Sequence, residues 1–70
     1  MINYQLPKTS FVTLKIYDVM GEEVSILRNG VEEAGYKSVR WNADSFPGGV
    51  YFCRLTAGSF SQTMKLLLVK

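Results

Sequence analysis

Apolar residues recur at every second position along most of this chain, and glycine interrupts the alternation at regular intervals. Val12, Leu14 and Ile16 alternate with Thr13, Lys15 and Tyr17. That period belongs to a half-buried strand, whose successive side chains point to opposite faces. Asp18-Val19-Met20-Gly21 then reads as a tight turn, with Gly21 at the position that needs a positive φ. Residues 23–27 form a second strand with Val24 and Ile26 on one face. Residues 28–35 contain Asn29-Gly30, Glu32-Glu33 and Gly35 and read as a polar connection. Residues 36–41 make a further strand, Val39 and Trp41 on one face and Tyr36, Ser38 and Arg40 on the other. The loop 42–49 is rich in turn formers, and Pro47-Gly48 fits the centre of a type II turn. Residues 50–56 are β-branched and aromatic, and Ala57-Gly58-Ser59 closes a hairpin onto a last strand, 60–69. A short leading strand, 2–6, ends at Pro7.

Turn signals every ~8–12 residues between short strands are the mark of a sandwich or barrel. No segment sustains a helical period. The 70 residues form one domain, 47% hydrophobic and 20% charged. That balance opposes disorder, although so short a chain folds with a small margin. The longest apolar run, Leu66-Leu67-Leu68-Val69, is too short to span a bilayer, so no direct membrane insertion is expected. The eight basic and six acidic residues give a net charge of +2 without a basic run, which argues against nucleic acid as a partner. Pro7, Lys8, Lys65 and Lys70 stand where they would blunt strand edges.

The chemistry inventory excludes more than it offers. There is no histidine, so the commonest general base and metal ligand is missing. The single cysteine, Cys53, lies in the apolar run 50–55 and reads as an inert core thiol. The carboxylates Asp18, Glu22, Glu23, Glu32, Glu33 and Asp44 fall in or beside expected turns, without the spacing of a calcium loop. Gly48-Gly49 precedes a strand, so no helix N-terminus follows to hold a phosphate. The aromatics Tyr4, Tyr17, Tyr36, Trp41, Tyr51, Phe52 and Phe60 are read chiefly as core. No enzyme and no cofactor or metal is expected.

The ordered set of motifs is more specific than any one of them. Ile2-x-Tyr4-x-Leu6-Pro7 is followed by Val12-x-Leu14-x-Ile16-Tyr17-Asp18-x-x-Gly21-x-x-Val24, then Gly35, Trp41-Asn42, Pro47-x-Gly49-Val50-Tyr51-Phe52, Arg54-Leu55 and Gly58. Lys65-Leu66-Leu67-Leu68-Val69-Lys70 ends the chain. This series resembles the type A C-terminal sorting domain of type IX secretion (Por secretion system) cargo, found in Bacteroidetes. The resemblance implies an immunoglobulin-like β-sandwich of about six to seven short antiparallel strands. It implies an address label, not an enzyme, following a larger cargo that passes through the periplasm to the cell surface or medium. The implied partners are type IX translocon components and a sortase-like surface protease that removes the domain and attaches the cargo. Gly21, Gly35, Gly49 and Gly58 match the family's turn positions. Leu6-Pro7 matches the end of its leading strand; Tyr17, Trp41, Tyr51 and Leu55 match packing positions. Lys65, Leu66, Leu67, Leu68, Val69 and Lys70 match the tail on which export depends.

A terminal strand with a free edge suits recognition by strand addition. The Asn-Pro-rich segment that the family carries ahead of its Ile-x-Tyr-x-Leu-Pro strand is not in this sequence. The chain therefore reads as a domain excised from a larger protein without its N-terminal flank, and a free edge left there favours self-association. The alternative from another class is a carbohydrate-binding or spacer module of a secreted hydrolase, which calls for an exposed row of aromatics that includes Trp41. An adhesion or assembly module is a third.

Overall fold

The computed structural model describes residues 2–70. Its elements, in chain order, are β1 (Ile2–Leu6), β2 (Ser10–Tyr17), β3 (Glu23–Glu32), β4 (Gly35–Val39), β5 (Gly49–Ala57) and β6 (Phe60–Leu68). They form two antiparallel sheets packed as a sandwich, one of two strands in the order β1-β4 and one of four in the order β3-β2-β5-β6. The all-β, immunoglobulin-like expectation holds.

The alternation in β2 and β5 drives the packing. Val12, Leu14 and Ile16 of β2 and Tyr51, Cys53, Leu55 and Ala57 of β5 point to the same face, paired in register as Val12–Ala57, Leu14–Leu55 and Ile16–Cys53. Ile2, Tyr4 and Leu6 of β1 and Val39 of β4 close over them. No buried core residue among those described comes from β3 or β6. The core therefore sits over the two central strands of the large sheet, and the smaller sheet leaves the outer two partly covered.

Four local readings change. First, residues 28–32 are strand and not connection: Asn29-Gly30 lies within β3 opposite Thr13 and Val12, and only Glu33-Ala34 links β3 to β4. Second, β3 carries register shifts against β2 between Leu14 and Lys15 and between Ile16 and Tyr17. Each inserts an extra residue, Leu27 and Val24 respectively, and a bulge turns that side chain off the simple alternation. Val24 and Leu27 consequently pack on the core, while Ile26 is 52% exposed. Third, the strand after Gly35 stops at Val39, so Trp41 lies beyond it. Fourth, the tight turn in the loop runs from Ala43 to Phe46, whose amide donates to the Ala43 carbonyl at 3.0 Å. Gly49, not Gly48, has the positive φ, so Pro47-Gly48 is not a type II centre. Gly48 serves by close approach: a Cβ there would stand 3.1 Å from the Leu68 carbonyl oxygen of β6.

The Asp18–Gly21 turn forms as expected. The Gly21 amide donates to the Asp18 carbonyl at 3.1 Å, and Asp18 Oδ1 accepts from the amides of Met20 and Glu22 at 2.9 and 3.0 Å. The β5–β6 hairpin has two loop residues, Gly58 and Ser59, between the paired Ala57 and Phe60. Gly58 has φ +61°, and no residue other than glycine has a positive φ among those described. A positive φ at the first loop residue only is the type II′ pattern, whose twist matches that of the strands. Nothing lies within 4 Å of the Cβ position, so strain and not clash sets the cost of a side chain. Gly58→Ala is expected to lower stability by about 1–2 kcal/mol, and Gly58→Asn by less, since Asn tolerates this region. Paired thermal melts check the order.

Candidate functional site

The terminal strand β6 gives the molecule its most distinctive surface. It pairs with β5 without a register break from Ala57–Phe60 to Gly49–Leu68, and its other edge pairs with nothing in the sheet. In an antiparallel ladder every second residue turns its N–H and C=O away from the partner strand, so β6 presents an open row of donors and acceptors. Opposite the buried Ala57, Leu55, Cys53 and Tyr51, the residues Phe60, Gln62, Met64 and Leu66 face the sandwich interior, Gln62 exposed and the one polar member. Met64, Leu66 and Leu68 are only half-buried, and Phe60 is 52% exposed. Leu67 and Val69, at 71% and 80%, are open to solvent.

The tail is nevertheless held. Lys70 Nζ donates to the Asp44 carbonyl at 2.8 Å. Leu66, Leu67 and Leu68 line a cleft with Ile2, Trp41 and Ala43. Trp41 packs at 5.4 Å from Phe46 and 5.2 Å from Tyr51 between ring centroids, and the Tyr51 hydroxyl donates to the Pro47 carbonyl at 2.6 Å. This aromatic group supports the loop against which the tail ends. The Trp41 Nε1–H is buried without a hydrogen-bond partner among the described residues.

The opposite edge of the large sheet is built differently. β3 carries both bulges and the charges Glu23, Arg28 and Glu32. Arg28 Nε lies 3.2 Å from Glu32 Oε2, and the Tyr4 hydroxyl of the small sheet donates to Glu32 Oε1 at 2.5 Å. Lys15 Nζ pairs with Glu23 at 3.2 Å. Bulges and charges are the usual protections of an edge strand. One edge is thus sealed by a polar cluster, while the other has a regular ladder, a single charge at Lys65 and a half-covered apolar row.

The remaining sequence candidates are distributed around this frame. Leu6, Tyr51 and Leu55 are core residues, and Trp41 is half-buried in the aromatic group. Tyr17 lies in line with Phe52 on the outer face of the large sheet, away from the core. Gly21, Gly35, Gly49 and Gly58 all have positive φ, Gly35 and Gly49 as the first residues of β4 and β5. Pro7 follows β1 and is exposed. Of the other aromatics, Tyr4 is buried and Tyr36 is fully on the surface. Cys53 is completely buried, and that burial pushes its thiol up to about 11. No three His, Cys, Asp or Glu side chains converge on a common point among the described residues. The Tyr4–Glu32–Arg28 cluster is not legible in the sequence, because Tyr4 reaches Glu32 only through the packing of the two sheets.

Among known proteins, the sequence model of one family, described as the secretion system C-terminal sorting domain, matches residues 1–70, the whole chain. No curated protein and no solved structure matches it.

Proposed function

Because the chain belongs to the family of secretion system C-terminal sorting domains, whose presence indicates a sorting signal for type IX secretion of an upstream cargo, we propose that it acts without catalysis, as a structured tail read by the export machinery. The family match over the full length carries this reading. The absence of histidine from the sequence agrees with it. In this reading the segment Lys65–Lys70 is the part recognised, as the end of the strand with the open edge. The cargo passes through the periplasm, crosses the outer membrane, and a sortase-like surface protease then removes the domain and attaches the cargo. The carbohydrate-binding alternative asked for an exposed aromatic row including Trp41. Trp41 is instead folded against Phe46 and Tyr51, and no observation favours that alternative.

The test is export of a reporter. A signal peptide, a fluorescent protein and residues 1–70 are fused and expressed in a type IX-competent host, beside a fusion lacking residues 65–70. Surface or medium fluorescence is expected with the intact tail, and periplasmic retention without it. Truncation also removes the packing of Leu66 and Leu68, so Leu67→Ser with Val69→Ser, at two solvent-open positions, serves as the second variant. It is expected to fold normally and to export several-fold less. Undiminished export from both variants would overturn the role given to the tail.

A further inference from the structure

We propose that the free edge of β6 takes up one extended strand of a partner protein, with apolar residues on its inward face and an acidic residue on its outward face beside Lys65. This rests on the reading of the tail as the recognised element and gives the partner's chemistry.

Three features lead to it. The edge from Phe60 to Leu68 has no bulge and no proline, and one charge, whereas the β3 edge carries two bulges and three charged residues. Strand addition needs a regular open ladder, and only β6 offers one in the large sheet. Next, the inward row Met64, Leu66 and Leu68 is half-covered. A strand laid beside β6 sets every second side chain against this row, about 5 Å away. Apolar side chains there remove both surfaces from water.

The third feature is charge. From Ser45 to Lys70 the chain has no Asp or Glu, while it has Arg54, Lys65 and Lys70. All six acidic residues precede that segment. Across the outer face Lys65 stands in register with Phe52, and Arg54 with Thr63 on the neighbouring row, so Arg54 and Lys65 lie diagonally adjacent. Opposite charges directly across a strand pair stabilise it and like charges oppose it. A basic outward residue on the incoming strand meets Lys65, with Arg54 one strand further in; an acidic one meets its complement.

The probes are three nine-residue capped peptides: alternating Val and Glu, alternating Val and Lys, and the Val/Glu peptide N-methylated on alternate amides. Binding to the 70-residue chain is measured by calorimetry at low and high salt. The Val/Glu peptide is expected to bind at least tenfold more tightly than Val/Lys at low salt, with the ratio shrinking as salt rises. N-methylation on the edge-facing amides is expected to abolish binding. Lys65→Glu, at an exposed site, is expected to weaken or reverse the preference, and Lys65→Gln to reduce it. Equal binding of the two peptides, indifference to N-methylation, or no binding at all overturns the proposal. The export assay separates the two ideas. Loss of export on truncation with no peptide preference leaves the sorting role standing and removes this partner. A clear preference with export indifferent to Lys65→Glu and to truncation keeps the docking edge and removes its role in sorting.

Discussion

Replacing Leu14 by alanine is expected to leave the domain barely folded. Leu14 is fully buried, stands directly across from the buried Leu55, and is flanked along β2 by Val12 and Ile16, also inaccessible. Such a truncation loses transfer free energy and leaves a cavity, together costing about 3–5 kcal/mol. A folded chain of this length has a total stability of roughly 4–10 kcal/mol. Among the described residues the core has no second layer to absorb the loss, because its buried residues come from the two central strands and the small sheet above them. A urea titration of Leu14→Ala should therefore place its midpoint at half the wild-type value or lower. Leu67→Ala on the exposed face of β6 is the matched control and should move it by less than about 0.5 kcal/mol. A Leu14 variant as stable as that control would mean that the two sheets do not pack as described.

The same division between central and outer strands explains which parts of the fold could be read from sequence. β2 and β5 are buried on one face along their whole length, so their alternation is strict and legible. β3 lies at an edge. Its inward positions near Glu32 meet the Tyr4 hydroxyl and solvent in place of apolar side chains, so residues 28–32 look like a loop. Asn29-Gly30 adds to that impression, yet Gly30 simply faces Val12 across the ladder. The two extra residues in β3 defeat a count by two: the inward apolar pair, Val24 and Leu27, is three apart. In the loop before β5 the glycine pair marked a turn but not its kind. Gly48 is there because β6 passes close by, a contact with a strand twenty residues downstream.

The candidate site shows the same limit. The tail is recognisable as a motif, and its final strand follows from the hairpin signal Ala57-Gly58-Ser59. That β6 is an edge, that β3 is the other, and that one is sealed while the other is open are properties of strand order. Strand order depends on how β1 and β4 separate from the remaining four strands, and a one-dimensional pattern contains no such information. A terminal strand is a reasonable place for recognition in any sandwich; here the contrast between a bulged, ion-paired edge and a regular, apolar one makes it a specific expectation.

Alkali is expected to destabilise the domain in two overlapping steps between pH 9 and 12. Burial pushes the Cys53 thiol from its ordinary 9.0 up to about 11. Burial, then the hydrogen bond to Glu32 and the negative charge of that carboxylate, push the Tyr4 hydroxyl from 10.0 to about 12. Below pH 9 both groups are protonated whether the chain is folded or not, and the stability tied to them is fully present. Above that, the unfolded chain gives up its protons first and so binds fewer than the folded one. Stability then falls as pH rises, through 9 to 11 for Cys53 and 10 to 12 for Tyr4. Each unit corresponds to at most about 1.4 kcal/mol, and solvent screening reduces that, so each group is expected to remove on the order of 1 kcal/mol. Two variants separate the steps in urea titrations across the range. Cys53→Ala should remove most of the decline between pH 9 and 10, where the thiol contributes most, and leave the later one. Tyr4→Phe should leave the early decline and remove the later one, while Glu32 keeps its ion pair with Arg28. A decline that survives both substitutions unchanged would mean that neither group is shielded from water as the packing of β1 over β2 and β5 requires.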